Sequence, residues 1–114
     1  MVDIEPARFA ELVGEALDGI PPELGRLMDN VAVMVDDASP PGALLGLYQG
    51  VPLTERGADY TFATPDRITI FRRAICSACS SEADVVDQVR VTVVHEVAHH
   101  FGIDDHRLDE LGWG

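Results

Sequence analysis

The sequence predicts a small α+β fold, and three observations carry that reading. Apolar residues recur at helical spacing near the N-terminus. Short β-branched runs follow in the middle, and a long apolar stripe leads into a cluster of histidines near the C-terminus. With 114 residues, 46% of them apolar and 25% charged, the chain can bury one modest core, so residues 1–114 read as a single domain.

Pro6 suits a first helical turn, and Phe9, Leu12, Val13, Ala16 and Leu17 then fall on one face up to Gly19, predicting an amphipathic helix. A short helical turn through Leu24 and Met28 follows Pro21-Pro22 and breaks at Asp29-Asn30. Val31-Ala32-Val33-Met34-Val35 is a continuous apolar run, the pattern of a strand covered on both faces and so central in a sheet. Ser39-Pro40-Pro41-Gly42 is a turn. Leu44 to Gln49 is a second strand, weakened by Gly46, ended by Gly50 and Pro52, and expected at a sheet edge.

Leu53 to Asp66 is a long polar connection holding Thr54, Glu55, Arg56 and Tyr60, and its length points to a substrate-facing loop. Arg67 to Phe71 alternates polar and apolar residues and makes a third strand. Arg72 to Ser80 is helix or turn. Ser81, with Asp84 three residues on, then caps a long helix through Val85, Val86, Val89, Val93, Val97 and Phe101. Val89 to Val93 also alternates as a strand would. A strand, however, would throw Glu96 to the face opposite His95 and His99, whereas positions 86, 89, 93 and 97 share one helical stripe. Gly102 ends this helix, and Asp104 to Leu111 forms a closing one, with Leu108 and Leu111 inward and Gly112 as its stop.

All four histidines lie between His95 and His106. His95, Glu96 and His99 form His-Glu-x-x-His, which on a helix puts two imidazoles one turn apart on one face, where they can grip one metal ion. Glu96 lies about 100° round the helix from His95, badly placed as a third ligand but able to reach a water on the metal. Gly102 tolerates the positive φ of a reversal, so Asp105 or His106 can return beneath the imidazoles and leave a fourth position open. His100 lies about 140° from His95 and points elsewhere.

This stretch resembles the zincin metallopeptidases in their long form, His-Glu-x-x-His-x-x-Gly-x-x-(His or Asp). Leu47 to Arg56, Arg67 to Phe71 and Val93 to Gly102 together resemble the bacterial minimal zincins, a likeness running from about Val31 to Gly112. The resemblance implies a mixed sheet of three or more strands packed against the N-terminal helix and a long active-site helix, with zinc as cofactor. It favours Asp105 over His106 as third ligand, because Asp105 stands at the family's offset from His99. It implies a peptidase whose zinc-activated water gives a proton to Glu96 as general base, with a peptide or protein as substrate. Metzincins fit less well, since no Met follows Met34, and gluzincins take a glutamate from a later helix, whereas only fifteen residues follow His99. The expected substrate contacts are Leu45, Leu47 and Tyr48, where an extended peptide would pair with the edge strand. Tyr48, Tyr60 and Arg56 are candidates to stabilise the oxyanion.

The net charge of −12, from twenty acidic residues against eight arginines, repels phosphate backbones and anionic lipid, so neither nucleic acid nor membrane is an expected partner. Without a signal-like segment or a spanning apolar run, the expected location is the cytoplasm; oligomeric state is left open. Cys76 and Cys79 form Cys-x-x-Cys without the further pair of a zinc ribbon and read first as buried thiols, with a local disulfide second. Two other functions compete with the peptidase. One is a zinc-stabilised scaffold without turnover. The other, a metal-dependent endoribonuclease, is opposed by Glu96, by Asp105 in place of a third histidine, and by the charge.

Overall fold

The computed structural model describes residues 1–42, 44–50 and 66–113. Helix α1 (Pro6–Asp18) carries proline in its first turn and buries Phe9, Leu12, Val13 and Ala16, the face its spacing predicts. Helix α2 (Pro22–Leu27) leads into strand β1 (Val31–Asp36), followed by β2 (Gly46–Gln49) and β3 (Asp66–Phe71). Helix α3 (Arg72–Ala78), the long helix α4 (Glu82–His100) and α5 (Asp105–Leu111) complete an α+β fold.

The described strands form a mixed sheet in the order β1-β3-β2. β1 runs parallel to β3, with Val31 opposite Asp66 and Asp36 opposite Phe71; β2 runs antiparallel, with Gly46 opposite Ile70 and Gln49 opposite Arg67. This corrects the expectation for β1. Among the described residues it is β3, not β1, that has a partner on each side. Ile68 and Ile70 are fully buried, while Met34 is 49% and Val35 38% exposed. A continuous apolar run records that a strand is apolar, not which neighbours it has, and β3 shows its burial by alternation instead. Among the described residues β2 is at an edge of the sheet, as its glycine and proline boundaries predict, and it begins at Gly46; Leu45 still extends the pairing by accepting from the Phe71 N–H at 3.0 Å.

The core lies between the sheet, α1 and α4. Val85, Val89, Val93, Val94 and Val97 are fully buried and Phe9, Leu12, Ile68, Ile70 and Leu108 pack with them. Because α4 meets α1 on one side and β2 and β3 on another, its buried arc is wider than the single predicted stripe. It includes Thr92, Val94 and Ala98, while Val86 is only half-buried. Phe101, expected on that stripe, is instead the C-cap and 44% exposed. The strand alternative for Val89 to Val93 fails for the same reason that α4 succeeds: with apolar surface on two sides, valine's burial outweighs its weak helix propensity.

Both ends of α4 are locally encoded. The Ser81 side chain accepts from the Asp84 N–H, and Asp84 in turn accepts from the backbone and hydroxyl of Ser80 at 3.1 and 2.6 Å. Those hydrogen bonds, the Ser80 hydroxyl foremost, hold the Asp84 carboxyl below the usual aspartate range. At the other end Gly102 adopts φ +79°, and the Ile103 N–H reaches back to Ala98 O at 2.7 Å, reversing the chain. Cys76 and Cys79 are both free and buried, and desolvation raises both thiols above their ordinary range.

Candidate metal centre

His95 and His99 sit on the last two turns of α4, on the exposed side of a helix whose other faces are anchored by Val93, Val94, Val97 and Ala98. Their ring centroids are 5.8 Å apart, with the planes tilted by 40°. After the Gly102 reversal, Asp104 caps α5 by accepting from the Arg107 N–H at 2.9 Å, and Leu108, fully buried, pins that helix against the core. Asp105 therefore opens α5 directly after the cap, and its Oδ1 lies 3.1 Å from His99 Nε2.

The two neighbours that the residues alone left open as third ligand meet different partners. His106 turns to Glu110, Nε2 to Oε1 at 2.9 Å, with its side chain 86% exposed, whereas Asp105 meets His99. His100 also goes elsewhere: its ring stacks on Tyr48 at 4.0 Å. The Tyr48 hydroxyl donates to Asp66 at 2.7 Å, so Tyr48 helps tie β2 and β3 to the C-terminal turn of α4. Gly50 completes this corner, since an added Cβ would come within 3.1 Å of the His100 ring.

The donor set fits zinc in kind, with two imidazoles and one carboxylate. The 3.1 Å between His99 Nε2 and Asp105 Oδ1 is close to the roughly 3.3 Å edge of a tetrahedral zinc shell. The two rings stand somewhat wider than the about 5 Å that a shared zinc would impose. Among the described residues no three His, Cys, Asp or Glu side chains gather closely enough to form a ready metal-binding group. The His99–Asp105 contact is open to solvent, with the side chains 53% and 70% exposed, and an exposed pair of this kind holds its partners only weakly.

Beside His95 and Glu96, both half-buried, a cavity of about 260 Å³ separates α4 from the residues leading into β2. Leu45 lines it. Leu47 does not; it projects from the face of β2 opposite Gly46 and Tyr48 and is 37% exposed. Of the expected substrate contacts, then, the fold brings Leu45 to the site, places Tyr48 on His100 and turns Leu47 to the far face. Arg56 and Tyr60, with nearly all of the long polar connection, fall outside the described residues.

Sequence reasoning passed over Thr92 and read Gly46 only as a weak point in a strand. A Cβ at Gly46 would come 2.7 Å from Thr92 Cγ2 and 3.2 Å from Thr69 O, so this glycine is where edge strand and helix touch. The available signal was a glycine inside a strand pattern, a mark of close backbone approach. Among the described residues no helix is long and apolar enough to cross a membrane. The chain matches the zincin-like metallopeptidase family over residues 28–113, a span holding the three described strands, α3, α4 and α5. No curated protein matches it.

Proposed function

Because this chain belongs to the zincin-like metallopeptidase family, we propose that it is a zinc-dependent peptidase in which His95, His99 and Asp105 hold the metal and Glu96 is the general base. The observation that carries this reading is the approach of Asp105 to His99 across the Gly102 reversal, at 3.1 Å. Bound zinc supplies Lewis-acid polarisation of the scissile carbonyl and lowers the pKa of a water toward about 7.

The rest is work for the protein's own side chains. Glu96 is next in sequence to His95 and shares the cavity wall with it, so a water at the mouth of the cavity is within reach of a carboxylate that is not needed as a ligand. Glu96 takes the proton of that water and returns it to the departing amine, the double duty of a single acid–base group. Asp104 and Leu108 hold Asp105 in place by capping and anchoring α5.

The substrate is a peptide or protein lying extended beside β2, which among the described residues pairs only with β3. Backbone pairing holds such a chain without demanding particular side chains, with Leu45 on the site side. The test is metal analysis of the purified protein alongside cleavage of a proteome-derived peptide library. One zinc per chain and metal-dependent cleavage support the proposal. Full zinc content in a His95→Ala, His99→Ala double variant would place the metal elsewhere.

A further inference from the structure

The cavity beside Glu96 extends along α4 toward its N-terminus, and the residues that line it there have no part in the proposed metal site or acid–base chemistry. One wall is Leu44 and Leu45; the facing wall is Gln88 and Val91; Gly46 and Thr92 close the floor by direct contact. From Gln88 to Glu96 is eight residues, about 12 Å of helix, so a peptide with its scissile bond at Glu96 brings a neighbouring side chain to Val91 and Gln88.

The chemistry of the walls selects that side chain. The chain carries twenty acidic residues, yet among the described residues Glu96, at one end, is the only carboxylate in the lining. Beside it at that end is the His95 imidazole; the rest of the described lining is apolar surface from Leu44, Leu45 and Val91 with two neutral polar side chains, Gln88 and Thr92. Gln88 Nε2 donates to Thr92 Oγ1 at 3.3 Å, which holds the Gln88 carboxamide along the wall. At about 260 Å³ the space is below the usual range for a whole small-molecule ligand and suited to one aliphatic side chain.

We infer that this cavity is a specificity subsite for an uncharged aliphatic residue of the peptide, selected by Val91 and Gln88. The inference rests on the peptidase reading only for the identity of the molecule that carries the side chain. A single charge at position 88 should therefore change the preference. Gln88→Glu places a carboxylate on the wall and recruits lysine, and Val91→Phe fills the space.

The experiment is an NMR titration of the zinc-loaded protein with the acetylated amides of leucine, lysine and aspartate, following the Gln88 carboxamide and the Val91 methyl groups. In the parent, the leucine amide should shift both signals and bind more tightly than the lysine amide, and the aspartate amide should leave them unmoved. Gln88→Glu should improve the lysine-to-leucine affinity ratio by about fivefold, the effect of one part-exposed ion pair. Val91→Phe should abolish the leucine response while keeping the parent's circular dichroism. A leucine amide that moves neither signal overturns the inference, as does an unchanged lysine-to-leucine ratio in Gln88→Glu. Leucine binding in the cavity by a protein that cleaves no peptide supports the subsite and contradicts the peptidase reading, so the two stand or fall separately.

Discussion

His99 and Asp105 meet at 3.1 Å across a single reversal of the chain at Gly102. If that contact marks two metal ligands, Asp105→Ala should weaken zinc binding by more than about 100-fold, beyond what outer partners of a metal site usually contribute. His106→Ala, whose partner is Glu110, should leave it nearly unchanged. A zinc competition titration checks both, and the reverse order would make His106 the ligand.

Asp105 is held there by Leu108. That side chain is fully buried three residues along α5, so Leu108→Ala should destabilise the fold by about 2–5 kcal/mol and loosen the start of α5. Denaturant unfolding measures the first effect. The zinc titration measures the second, which should show as weaker binding even at temperatures where the variant is fully folded.

Gly46 and Thr92 set the spacing between β2 and α4. Gly46→Ala should cost about 1–3 kcal/mol, since its Cβ would lie 2.7 Å from Thr92 Cγ2 and backbone at Thr69 O blocks the other way out. Thr92→Ser removes the obstructing methyl and should recover part of the loss. A double-mutant cycle in denaturant reads the coupling directly, and strict additivity would show that the two residues do not touch.

What was legible in the sequence was what is local. Ser81, Asp84 and Gly102 act within a few residues of themselves, and the ends of α4 fall where they predict. The position of β1 was not legible, because an apolar run is compatible with any place in a sheet. The cavity between β2 and α4 was not legible either: Gly46 and Thr92 come together from distant parts of the chain, and only the fold makes a weak strand residue into a point of contact. For the candidate site the histidines, the glutamate and the glycine were readable as a spacing. The preference for Asp105 over His106 needed the family's pattern, and its partner His99 needed the structure.

Stability should fall in acid through the N-terminal cap of α4. The Ser80 hydroxyl and then its backbone N–H hold Asp84 below its ordinary range, so its contribution is present above the unfolded aspartate pKa and is lost as pH falls through the lowered folded value. Asp84→Asn should reduce the slope of stability against pH in that acid window and leave it unchanged near neutrality. Denaturant midpoints measured across the window for both proteins decide this.

The central claim is that Glu96 moves the proton while His95, His99 and Asp105 hold the metal. Glu96→Gln keeps the side chain's shape and its place beside His95 but removes the group that accepts a proton. The direct measurement is zinc content and peptide cleavage on the same preparations of parent and Glu96→Gln. Equal zinc with cleavage lowered by roughly 10²–10⁴-fold is the predicted result. Equal zinc with equal cleavage would contradict it, and would mean that Glu96 is not the base.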